Sequence, residues 1–117
     1  MTKLNDVKDT LSDVAKACGV MESELSIDYS LNLDEELYSE LEKLTDISLV
    51  LKKALDEKDM VAVQAALVMS RIYSMNLRNF FNDIYDDIEI IGWTDHYSWP
   101  KIPEGYQIPE HYKHPKK

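Results

Sequence analysis

Asp83, Asp86, Asp87 and Glu89 place four acidic side chains within seven residues of sequence. At spacings of three and four they share a helical face, where carboxylates could hold a divalent cation or meet a basic partner. A cation site on helices needs a second carboxylate group on a facing element. Glu35, Glu36, Glu40 and Glu42 are the available acids upstream, and they form no paired E-x-x-E signature. A metal-dependent helical hydrolase using Asp83, Asp86 and Asp87 is therefore only an alternative reading, and no metal or cofactor is assigned. An acidic patch turned to a partner protein is the functional expectation for these four residues; the plain one is a solvated face.

Arg71 and Arg78 are the only arginines, seven residues apart and so on one stripe of a helix. Two guanidiniums on one face could grip an anionic metabolite or nucleotide bidentately, which gives a small-ligand module as the second alternative. Their plain role is ion pairing with the more numerous acids. Cys18 is the sole cysteine, so no intramolecular disulfide and no thiolate zinc cage can form. It ends an apolar stripe and reads as a small core residue. No serine stands in a G-x-S-x-G context, and three scattered glycines make no phosphate loop. His96, His111 and His114 fall in a proline-rich stretch that offers no rigid ligand geometry.

That stretch holds the most specific pattern in the chain. Ile102-Pro103-Glu104-Gly105-Tyr106 recurs as Ile108-Pro109-Glu110-His111-Tyr112, a tandem I-P-E-x-Y with a period of six residues. In polyproline geometry this period puts both isoleucines on one edge, about 19 Å apart. Trp93, Tyr97 and Trp99 precede it. The repeat reads either as a strap sealing the edge of its own domain or as a motif displayed twice to a partner's groove. Trp93, Trp99, Tyr106 and Tyr112 are its candidate contacts.

The elements that must position these groups are helices. Leu4, Val7, Leu11, Val14 and Cys18 mark a first helix over residues 3–18, with Thr2 to cap it and Gly19 to end it. Residues 19–31 carry no period and read as a connector with one short turn at Glu22–Leu25. A second helix spans Leu33 to about Asp56, capped by Asn32. A third spans Met60 to about Glu89, capped by Asp59, with a wide apolar face that includes Leu67, Met69, Phe80 and Phe81. One antiparallel neighbour does not need so wide a face. Either both other helices pack on it, or a second copy does, through residues 60–89. Asn76 falls near that face. All four prolines follow Gly92, so the remainder is extended rather than helical.

The chain thus reads as all-α: a three-helix bundle built on a long antiparallel hairpin (1–92), followed by an extended Pro/Tyr-rich strap (93–117). Residues 1–92 hold 19 acids against 9 bases, while residues 93–117 hold 3 against 4. That balance argues against direct nucleic-acid binding. No apolar run is long enough for a membrane span and no signal peptide is present, so the expected compartment is cytoplasmic. The expected function is non-enzymatic: an acidic inhibitor or adaptor that engages another protein's basic surface, in the manner of phage-type inhibitors.

Overall fold

Asn32 and Asp59 open the two long helices through the side chains that the sequence nominated. Asn32 Oδ1 accepts the Glu35 amide at 3.1 Å, and Asp59 Oδ1 accepts the Ala62 amide at 3.1 Å, each satisfying one of the orphan donors of a first turn. The computed structural model describes residues 3–113. Within them α1 runs Leu4–Ala17, α2 Leu33–Asp56 and α3 Met60–Gly92, with single 3₁₀ turns at Glu22–Glu24 and Glu110–Tyr112. The described residues contain no strand. The fold is all-α, with α2 and α3 packed as an antiparallel hairpin. No described helix is long and apolar enough to cross a membrane.

Each helix end has a local chemical cause. α1 stops in a Schellman turn: Val20 N donates to Ala15 O at 2.9 Å and Gly19 N to Lys16 O at 3.3 Å, with Gly19 at φ +76°. α2 stops the same way, with Asp59 N to Ala54 O and Lys58 N to Leu55 O, both at 2.9 Å. Here the left-handed position is Lys58, at φ +57°. A Cβ in that conformation costs roughly 1–2 kcal/mol, partly offset because glycine is floppier when unfolded. Lys58→Gly is expected to raise stability by about 0.5–1 kcal/mol, read as a higher urea midpoint at an unchanged slope.

The start of α1 is organised from a distance. Its N-cap residue, Lys3, makes no side-chain cap bond. Asp34, in the first turn of α2, instead takes the Leu4 amide at 2.8 Å and the Asn5 amide at 3.1 Å. Asn5 answers by accepting the Leu33 amide at 2.8 Å and donating to Asn32 Oδ1 at 2.8 Å. The two N-termini therefore cap each other. Thr2, nominated as the cap, lies outside the described residues.

α1 buries a stripe rotated from the expected one. Ala15 and Cys18 are buried with Val20 and Ile91, flanked by Leu11, Leu25 and Ile90, while Val7 and Val14 stay exposed. The small Ala15 side chain lets α1 approach the end of α3 closely. To supply Ile91, α3 continues three residues past Glu89. Along the hairpin seam the buried residues are Leu33, Leu37, Ala54 and Ala66. Leu67, Met69 and Phe81, read as core from the sequence, remain exposed. The molecule is long, 61 × 35 × 24 Å, with a radius of gyration of 19.9 Å, against about 13 Å for a compact chain of this length.

Candidate functional site

The four clustered acids of α3 part company in the structure. Asp87 is fully buried. Its Oδ1 accepts the Ser26 amide at 2.5 Å, and its Oδ2 accepts the Ile27 amide and the Tyr29 hydroxyl, each at 2.9 Å. Burial, reinforced by the bond to Asp87, pushes the Tyr29 hydroxyl well above the usual phenol range. Asp87 is thus a clasp fastening the α1–α2 connector to α3, and it has no surface to offer a partner. The sequence carried a signal for this: Phe80, Ile84, Asp87 and Ile91 follow the 4-3-4 spacing of an inward stripe. Asp86 accepts from Asn82 at 3.2 Å and Glu89 from Tyr85 at 3.2 Å, bonds within α3 itself.

Asp83 is the member that faces a cleft. The connector, α2 and α3 border an open cleft of about 310 Å³ whose apolar lining includes Leu33, Phe80 and Ile84. Its acids are Asp28, Glu36, Glu40 and Asp83, joined by Asn76 and Asn79, and among the described residues no Lys or Arg lines it. Glu40 accepts from Asn76 Nδ2 at 3.3 Å across the hairpin and pairs with Lys43 at 3.2 Å. Asp28 accepts the Ser30 hydroxyl at 2.6 Å and the Ser30 amide at 3.0 Å, and these bonds hold its carboxyl below the usual range. Asp83 is shifted the other way: burial first, then the charges of Asp87 and Asp86, raise its carboxyl. Of the facing-helix acids that the sequence offers opposite Asp83, the pairing of the two helices brings Glu36 and Glu40 to the cleft; Asn79 has no signal in the sequence, because its place there depends on that pairing.

Among the described residues, no three His, Cys, Asp or Glu side chains are grouped so as to hold a metal ion. The Asp83–Asp86–Asp87 trio does not converge, since one points into the connector, one bonds along its own helix and one faces the cleft. Arg71 and Arg78 flank Ser74 and Met75 around a separate recess, also of about 310 Å³.

The tail begins against the connector. His96 Nε2 lies 3.2 Å from Glu24 Oε1. The Met21 amide, first, and then this imidazole lower the Glu24 carboxyl. Tyr97 and Trp99 stack edge-to-face at 4.8 Å between centroids. Beyond them both repeats close the same turn, Tyr106 N to Pro103 O and Tyr112 N to Pro109 O, each at 3.1 Å. These turns interrupt a continuous polyproline path. Trp93, Trp99, Ile102, Tyr106 and Tyr112 are exposed; His114 lies outside the described residues.

No family model matches this chain, and no curated protein or solved structure matches it.

Proposed function

We propose that this protein binds another protein, and that the acidic cleft between α2 and α3 receives a basic side chain of that partner. The observation that carries the reading is the lining: four carboxylates and two amides around apolar residues, with no cation among the described lining residues and Lys43 paired to Glu40 from outside the lining. Carboxylates in a partly dry setting recognise guanidinium and ammonium groups through charge-assisted hydrogen bonds, and the apolar residues suit the aliphatic stem behind such a group. An adaptor or an inhibitor occupying a basic site is the corresponding role.

Asp83 supplies the test. Its raised carboxyl means that its charge costs stability at neutral pH, a cost that disappears as pH falls below the ordinary value of 3.8. Asp83→Asn is therefore expected to raise the melting temperature at pH 7, with the gain vanishing in acid, while weakening binding. The pairing of lost affinity with gained stability marks a group kept for recognition rather than folding. Calorimetric titration with an Arg/Lys-rich peptide should show an affinity that falls as salt rises, and a loss of about tenfold or more in the Glu36→Gln/Asp83→Asn double variant. Affinity indifferent to both salt and the double substitution would remove the proposal.

A second reading rests on the exposed repeat, with Ile102 at 75% and Tyr112 at 68% exposure. If the tail makes the contact, deleting residues 93–117 abolishes capture of the partner and the cleft substitutions leave it intact.

A further inference from the structure

We infer that the side of the hairpin opposite the acidic cleft is an interface for a second copy of this chain, giving a four-helix core to a homodimer. An α-helix turns about 100° per residue. On that count Leu41 and Leu55 of α2 lie just beside its buried seam, as do Leu67, Phe81, Tyr85 and Ile88 of α3. Because the helices are antiparallel, their rotations are opposed, and both bands fall on one side of the hairpin. The same count puts Glu36, Glu40 and Asp83 on the other side, in agreement with the cleft they line. All six apolar side chains are between 45% and 60% exposed. The residues interleaved between these six are apolar or small, Ser48 in α2 and Val63, Ser70 and Ser74 in α3, and the first charges met, Asp34, Lys52 and Arg78, lie along the outer edge of the bands. An apolar strip rimmed by charged residues is the pattern of a protein–protein contact.

The area fits a second copy. The accessible surface is 9312 Å², against roughly 6,500 Å² for a compact monomer of 13.6 kDa. The excess is about three and a half times the ~800 Å² that one partner of a standard interface buries, and the exposed tail shares it with the band. Two such hairpins joined about a two-fold axis complete the antiparallel bundle that one hairpin leaves half built. The body's strong negative charge opposes association at long range, a repulsion that salt screens, so the dimer is expected to tighten as ionic strength rises. The two clefts would then face outward on opposite sides of the dimer, each open to a partner. The interface does not depend on what the clefts bind.

Sedimentation equilibrium on the full chain tests it. The expected mass is twice 13.6 kDa at micromolar concentration. Phe81→Lys is expected to weaken the dimer by at least about a hundredfold, because each dimer carries the buried charge twice. Leu67→Lys, on the same band, serves if that variant folds poorly, and unchanged helical circular dichroism certifies either one. A wild-type monomer across the concentration range overturns the inference and leaves the band to a different protein or to the chain's own tail. A dimer that survives both substitutions overturns it as well, since association would then use another surface. Salt-dependent peptide binding reports on the cleft alone, so either reading can fail without the other.

Discussion

Asp87→Ala is expected to lower the unfolding free energy by about 3–5 kcal/mol, a large part of the ~5–15 kcal/mol available to a domain. The side chain is fully buried and receives three donors, the amides of Ser26 and Ile27 and the hydroxyl of Tyr29. Alanine leaves all three without this acceptor, the Ile27 amide in a buried position and the Ser26 amide and Tyr29 hydroxyl in part-buried ones, and an orphaned buried donor costs roughly 1–3 kcal/mol. Asp87→Asn keeps the volume but turns an NH₂ toward at least one donor. It should fall between wild type and alanine, at about 2–3 kcal/mol. Urea unfolding followed by far-UV circular dichroism measures both losses. A cost below about 1 kcal/mol for alanine would mean that the connector finds other partners and that the clasp is dispensable. Because Ser26–Asp28 also wall the cleft, a loosened connector should weaken peptide binding beyond what the substitution does electrostatically.

Ile91→Ala carries the second large effect, about 2–4 kcal/mol. Ile91 is buried against Ala15, Cys18 and Val20 and is the last bulky side chain that α3 presents to α1. Removing three methyl(ene) carbons there loses their transfer free energy and leaves a void between two elements that meet over a small area. The loss should be local in the first instance: amide exchange within residues 4–17 should accelerate more than exchange in the middle of α2 and α3. Val61→Ala, at an 82% exposed site on the same helix, is expected to cost under about 0.5 kcal/mol. Equal effects at the two positions would contradict the assignment of Ile91 to the core.

The hairpin was legible because each of its signals is local. Asn32 and Asp59 are caps by virtue of their own side chains, the leucines of α2 repeat with the helical period, and Asp56-Glu57-Lys58-Asp59 is a polar break too short for anything but an antiparallel return. α1 was legible as a helix but not in its orientation. The valine stripe through Val7 and Val14 is the more hydrophobic choice, yet close approach to Ile91 favoured the smaller Ala15. The end of α3, expected near Glu89, lies three residues further on at Gly92. The added turn carries Ile91, which is buried against α1.

The candidate site was legible only in its ingredients. Asp83, Asp86, Asp87 and Glu89 look equivalent in a list of acids, but a helix gives each a different heading and the tertiary structure gives each a different environment. One is sealed under the connector, one faces the cleft and two bond along their own helix. Residues 19–31, without period or motif, supply the amides that hold Asp87 and one wall of the cleft.

From the sequence alone came the all-α class, the two long helices with their caps, the acidic body and the proline boundary at Gly92, all of which depend on interactions within a few residues. The tertiary structure decided which acid is buried, which acids converge, that Asp34 caps a helix 30 residues upstream of it, and which apolar band stays uncovered. Those outcomes depend on the pairing and rotation of whole helices, where a turn of 100° carries a side chain from core to solvent without changing its place in the sequence.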